Sequence, residues 1–457
     1  MTLIEHRPYA GTPTDTTTTA TQPLLATVGQ DLQVPVLGGG HVRYANFDWA
    51  ATAPALQAAA DAATAALTTY GSVHRGAGLP SQTSTARYEA ARAAVGAFSG
   101  ARPEEDVVVF TRNTTDALNL LASAVPAGGE VLVLDVEHHA NLLPWTAGPH
   151  RCLEAAPTVE GTITALAAAL RERPVALLAV TGASNVTGEI LPLHRLVRLA
   201  HAAGARVALD AAQLAPHRPL DLAGTGVDYV AFSGHKLYAP FGAGALVGRR
   251  DWLDAAPPFL LGGGAVRDVR ADDTDWLPAP QRHEGGTPNL LGAVALAAAC
   301  DALCALATGA LEAHEAALRT RLLDGLQSIP GVRTHRIWDD GGDAIGVVCF
   351  SVDGFAPGHV GAYLSAEHGI GVRDGRFCAH RLLTRLGLPD GALRASLGLG
   401  STASDVDRLL FALRELVAGH AHSDYATGES GWAPVDDDRD LGAWLPDGSA
   451  APAGCRA

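Results

Sequence analysis

Residues 227–248 read VDYVAFSGHKLYAPFGAGALVG: an apolar strand-like run, a turn holding a histidine and a lysine, then a second apolar run. Lys236, in that turn, is the only lysine among 33 lysines and arginines. Plentiful Ala, Gly, Arg and Asp beside one Lys looks like GC-biased codon usage. Under such a bias a surface lysine is exchanged for arginine at little cost, whereas an amine that acts as a nucleophile cannot be. Lys236 therefore reads either as a chance survivor or as a reacting group.

The pattern continues upstream. VVVF (107–110), VLVLD (131–135), VALLAV (175–180) and ARVALD (205–210) are short apolar runs, and stretches with helical periodicity, such as DALNLLASAV and LHRLVRLAHAAG, lie between them. This alternation predicts an α/β fold, a mostly parallel sheet covered on both faces. Two helices are expected before it, one from about 55 and a second ending at Gly100. After it, LLGAVALAAACDALCAL reads as a long helix. IGVVCFSV and LRASLGLG then read as strands, and HVGAYLSAEHG and SDVDRLLFALRELVAG as helices, which make a smaller α+β unit. The expected organisation is a Thr-rich flexible arm over 1–40 and a large domain over 41–300 whose first residues pack with the small one. A small α+β domain over 301–420 and an irregular acidic tail over 421–457 complete it.

With 457 residues, 47% of them hydrophobic, the chain can bury a large core. A net charge of −15 without a basic run argues against nucleic acid or an anionic membrane as partner. The longest apolar runs fall short of a membrane span, and the first 22 residues do not read as an export signal. The six cysteines are scattered with no CxxC, so metal and disulfide readings are poor and a reducing cytoplasm is expected.

A lysine amine forms an imine with an aldehyde, and pyridoxal 5'-phosphate is the common aldehyde cofactor held in this way. Such a site needs a phosphate cradle, an anion for the pyridinium nitrogen and a cover for the ring. Thr114 and Thr115 stand between a strand and a helix, where a helix N-terminus favours phosphate. Asp210 ends a strand, on the side of an open sheet where ligands bind. His138 and His139 follow another strand, and Ser233 and His235 flank the lysine. Taken singly, the threonines and Asp210 read equally well as helix caps, and the histidines as loop residues.

In this order the segments YANFDWAATAP, SVHRGAG, VVFTRNTTDALNLLA, VEHHANLLPW, TGASNVTGEILPL, VALDAAQLAPHRPLD, FSGHKLYAPFGAGALVG, RHEGGTPN, VRDGRFCAH and LRASLGLGSTASDVDRLL resemble a known family. It is the cysteine desulfurases of class-V aminotransferase fold, in the SufS/CsdA-like group that includes selenocysteine lyases. The resemblance covers roughly 44–420. It implies a pyridoxal-phosphate-dependent transferase of fold type I, with a mostly parallel seven-stranded sheet and a smaller C-terminal α+β domain. It also implies that Lys236 binds the cofactor and shuttles protons, that His138 stacks over the ring and serves as a catalytic acid/base, and that Asp210 and Gln213 meet the ring nitrogen and ring oxygen. Thr114, Thr115, Ser233 and His235 would hold the phosphate, and Thr287 would reach the phosphate site of the other subunit of a homodimer. Asn185, Arg373 and Arg394 would bind the substrate carboxylate, and His74 and Arg75 match a substrate-entry segment.

Cys378 decides between reactions. In the desulfurases that this chain resembles, a cysteine here takes sulfur from L-cysteine as a persulfide, leaving alanine, and an acceptor protein or thiol then comes to the buried persulfide. Arg373, Arg376 and His380 would favour its thiolate. Phe377, Arg381, Trp49 and the DAAQ of 210–213 depart from the family pattern, Trp49 in the segment lining the substrate pocket. Two alternatives stand beside the desulfurase. One is a class-V aminotransferase, epimerase or C–S lyase acting on another amino acid in specialised metabolism; the other is a scaffold that keeps the fold without catalysis.

Overall fold

Seven strands form the central sheet of the computed structural model, which describes residues 21–429, 431–442 and 444. Their order across the sheet is Asp106–Thr111, Gly244–Arg249, Tyr229–Ser233, Arg206–Asp210, Leu177–Thr181, Val131–Leu134 and His150–Leu153. Only Gly244–Arg249 runs antiparallel to its neighbours. Successive residues feed opposite cores. Leu178, Val180, Val207, Leu209, Val230 and Phe232 pack on one face, while Leu177, Ala179, Ala208, Tyr229 and Ala231 pack on the other. A sheet buried on both sides has no polar alternation, which is why its strands are continuous apolar runs.

A second core surrounds a four-stranded antiparallel sheet ordered Val332–His335, Val347–Val352, Ala392–Ser396 and Arg373–Gly375. The helices Ala310–Gln327, Pro357–His368 and Ala403–Val417 supply its other layer through Leu318, Leu322, Tyr363, Leu364, Leu409 and Leu413. Ala45 and Phe47 belong to this core, because Ala45–Asn46 pairs in parallel with Ile370–Gly371. The chain thus passes the second sheet before it enters the first. Among the described residues no helix is long and apolar enough to cross a membrane.

Two expectations from the sequence are corrected. Residues 21–40 of the predicted arm are tied down. Leu24 N donates to Leu399 O at 2.8 Å, Leu24 and Leu25 pack on the main core, and Gln33–Val36 pairs with Gly40–Arg43. The predicted arm's residues 1–20 lie outside the described residues. The tail is likewise built at its start, where Tyr425–Gly428 and Gly431–Pro434 form a hairpin. Trp432 stacks on His359 with centroids 4.9 Å apart, and the buried Glu367 carboxylate accepts from His422 N, Ser423 N and the Tyr425 hydroxyl. A hairpin so rich in Gly and polar residues carries too weak an apolar pattern to be read from sequence. The tail's residues from 445 onward lie outside the described residues.

Candidate active site

A cavity of about 240 Å³ opens at the carboxyl ends of the parallel strands, where an open α/β sheet binds its ligands. Each strand delivers its polar residue just beyond its last ladder bond. Asp106–Thr111 is followed by Thr114 and Thr115, Val131–Leu134 by His138, Leu177–Thr181 by Asn185, and Tyr229–Ser233 by His235 and Lys236. Asp210 and Ser233 are themselves terminal strand residues.

Lys236 sits in a tight turn. Gly234 donates its N–H to Ala243 O at 2.7 Å, and a Cβ at 234 would lie 2.7 Å from Ala243 O and 2.8 Å from Ala239 O, so no larger residue fits. Burial lowers the Lys236 amine from its ordinary value to about 8; Asp210 opposes that shift and Arg394 adds to it. Asp210 is 3% exposed, and burial raises its carboxyl while Ala212 N, donating to Oδ1 at 2.9 Å, and Lys236 pull it back. His138 accepts from Ala140 N on Nδ1 at 3.0 Å, which leaves the proton of the neutral ring on Nε2. Burial, then the charge of Lys236, lowers this ring to about 3, so it is neutral at ordinary pH. His235 falls to about 4 for the same two reasons.

At one end of the cavity Thr114 opens the helix Thr114–Ala124, capped by Asn113 through Asp116 N at 3.0 Å. Ser233 Oγ lies 2.7 Å from both Thr114 N and Thr114 Oγ1. Hydroxyls and a helix N-terminus therefore converge on one spot. Gln213 is buried and donates Nε2 to Ala50 O at 2.8 Å. The other end is cationic. Arg394 and Arg373 are cross-strand partners, and both line the cavity. The Arg394 guanidinium, 3% exposed, donates to Asn185 O at 2.9 Å and to Asp48 Oδ1 at 3.1 Å, and lies over the Phe377 ring at 5.3 Å. Its Nε is buried with no partner, a donor left for a ligand.

Cys378 lines the same cavity from a loop where Phe377 and Cys378 both have φ of 52°. Asn185 Nδ2 donates to Phe377 O at 2.8 Å and His139 N to Cys378 O at 2.9 Å. Here three expectations change. Cys378 is exposed in this chain rather than buried, and Arg376 and His380 face a neighbouring cleft with Cys152 and Arg381. Trp49 does not line the cavity. It is buried against Gly398 and Gly400 and donates Nε1 to Asn46 O at 2.7 Å, so its bulk replaces nothing in the pocket.

Thr287, His74 and Arg75 are exposed and outside the cavity. They lie in adjoining loops, since Arg75 donates to Gly263 O and Gly286 O, each at 2.9 Å, and His74 pairs with Glu89 at 2.9 Å. Two residues at the site have no signal in the sequence. Asp48 meets Arg394 across 346 positions. Glu137 is 1% exposed, accepts from Asn141 Nδ2 at 2.8 Å and Thr181 N at 3.0 Å, and is raised by burial to about 8.

Residues 45–409 match the class-V aminotransferase family, and the chain belongs to it, as a pyridoxal-phosphate-dependent enzyme. Among its relatives, a probable cysteine desulfurase of Mycobacterium leprae is 40% identical over 75% of this chain and 84% of its own length. One of Pseudomonas aeruginosa is 40% identical over 80% and 92%. The solved structure of the cysteine desulfurase CsdA from Escherichia coli superposes with a TM-score of 0.72 at 35% identity, covering 82% of this chain and 95% of that one. The cavity fits the cofactor: an amine lowered by burial to about 8, a buried carboxylate with one hydrogen bond, and hydroxyls gathered at a helix N-terminus all face one space.

Proposed function

We propose that this chain is a cysteine desulfurase, converting L-cysteine to L-alanine and leaving the sulfur as a persulfide on Cys378. One observation carries the reading: Lys236, Arg394 and Cys378 face the same cavity, from a turn of the large sheet, a strand of the small one and a loop between a strand and a helix. When bound, pyridoxal phosphate supplies an electron sink that makes the bonds at the substrate α-carbon labile. Lys236 would hold its aldehyde, Asp210 its ring nitrogen, Gln213 its ring oxygen, and Thr114, Thr115, Ser233 and His235 its phosphate.

The chain's own groups do the rest. Arg394, oriented by Asp48 and Phe377 and aided by Arg373 and Asn185, binds the substrate carboxylate; its free Nε supplies a further donor. The Lys236 amine, already lowered toward neutrality, moves the α-proton. The neutral His138 ring covers the cofactor face without adding charge. The Cys378 thiolate attacks the substrate sulfur, the carbon–sulfur bond breaks, and the carbon fragment takes protons to become alanine. Cysteine plus one thiol gives alanine plus one persulfide, with no oxidant consumed.

Cys378 being exposed supports delivery to an acceptor thiol or protein. The exposed Thr287 loop, outside its own cavity, supports a homodimer in which it meets the partner's phosphate site. The cytoplasm is the compartment proposed, on the cysteine usage of the sequence. The test is L-cysteine with a reductant, wild type beside Cys378→Ala, with alanine and sulfide measured. Loss of both products in the variant, with the cofactor absorbance retained, is expected. Equal turnover by the variant refutes the persulfide and favours the proton- or amino-transferring relatives.

A further inference from the structure

The loop Ser184–Glu189 has two faces. Asn185 points into the active cavity, while Thr187 and Glu189 line a second, more enclosed cavity of about 190 Å³. We propose that this second cavity binds a small oxyanion of phosphate or sulfate size, held by Arg319 and Thr187. The helix Ala310–Gln327 supplies Arg319, and the strand Val332–His335 with the residue after it supplies Thr334, His335 and Arg336.

The accounting of donors and acceptors around it is lopsided. Thr187 is 3% exposed, and its Oγ1 has no hydrogen-bond partner. Arg319 Nε is also buried and unpartnered, and among the described residues no carboxylate lies within ion-pair distance of its guanidinium. Every acid nearby is already engaged. Glu189 accepts from Ile337 N and from Trp338 N at 3.1 Å, with Arg336 Nε at 3.8 Å. Asp343 pairs with Arg218 at 3.2 Å, and Glu315 with His217 and with Arg218 at 2.7 Å. Arg336 donates to Gly341 O, and His335 Nε2 lies 2.9 Å from Ser351 Oγ. Burial lowers Arg319, and the charges of Glu315, Glu189 and Asp343, each bound elsewhere, oppose that shift only in part.

Water in the cavity would satisfy the hydrogen bonds but would add nothing to that partial compensation. An oxyanion does both: one oxygen accepts from the guanidinium and another from Thr187, as charge-assisted bonds in a low-dielectric cleft. Leu323 and Val348 close the wall with apolar surface, which limits the space to a small ligand. Because Thr187 is two residues from Asn185, and Asn185 holds both Arg394 and the Phe377 carbonyl, an occupant there is coupled to the substrate end of the active site. That coupling, though not the binding, rests on the proposed desulfurase reading.

Cofactor-loaded protein is titrated calorimetrically with inorganic phosphate and, separately, with sulfate, chloride holding the ionic strength constant. Saturable binding with a rise in melting temperature is expected, and the tighter anion names the ligand. Arg319→Gln and Thr187→Val should each weaken it by about tenfold or more, as for the loss of a hydrogen bond to a charged group. Binding should survive in Arg394→Lys, which separates this cavity from the active one. No saturable binding by wild type, or equal binding by Arg319→Gln, overturns the proposal. If Arg319→Gln does not fold, the isosteric Thr187→Val decides by the same two readings. Neither measurement requires turnover, so a failed desulfurase reading leaves it intact.

Discussion

Replacing Lys236 by methionine should stabilise the cofactor-free protein at neutral pH. Burial holds the amine near 8 instead of its ordinary 10.5, so below about pH 8 the fold carries a cation it would rather release. At about 1.36 kcal/mol per pH unit, that difference has a ceiling of about 3 kcal/mol. Lys236 is half-buried at the cavity wall and Asp210 already compensates part of its charge, so a gain of roughly 1–3 kcal/mol is the fair expectation. The sign follows from proton counting. Between about pH 8 and 10.5 the unfolded chain binds more protons at this position than the folded one, so wild-type stability rises with pH across that window. The penalty is therefore complete below about 8 and gone above 10.5. Denaturant unfolding of stripped wild type and Lys236→Met, at pH 7 and in steps up to pH 10.5, measures it. The variant should lead at pH 7 and the two should converge at the alkaline end. A variant no more stable than wild type at pH 7, or a gap that does not narrow with pH, would show that the amine is not a buried cation in this fold.

Arg394→Lys keeps the charge but loses the fork that reaches Asn185 O, Asp48 and a substrate at once. Steady-state kinetics should show kcat/KM for the amino acid reduced by roughly tenfold to a hundredfold, chiefly through KM. Gly398→Ala places a Cβ 2.4 Å from Trp49 Cδ2, inside a buried contact. It should cost about 1–3 kcal/mol in thermal or denaturant unfolding, whereas Gly342→Ala, with open space around it, should cost far less.

The parallel sheet was legible because burial on both faces forces unbroken apolar runs, and most of the cofactor residues were legible because they stand at the end of such a run or just beyond it. Lys236 stood out by its rarity alone. What escaped had no local cause in the sequence. The edge strand His150–Leu153, with HRCL half-exposed, has neither an apolar run nor clean alternation. The helix Ala310–Gln327 is so mixed along its faces that its periodicity is faint. Asp48 and Glu137 look like ordinary loop acids until the fold brings them to Arg394 and Thr181. Trp49 looked like a pocket residue because its neighbours in the sequence are, but its ring packs on Gly398 and Gly400, just after the strand Ala392–Ser396.

The paired left-handed residues at 377 and 378 mean that the thiol-bearing segment is held against its own preference. Two side chains in that basin cost about 2–4 kcal/mol together. The carbonyl bonds from Asn185 and His139, with the turn bond from Ala379 to Arg376, return a similar amount. The segment is thus a poised latch, with tether and recoil nearly equal. Glycine at 377, which would loosen most chains, would here let this one rest.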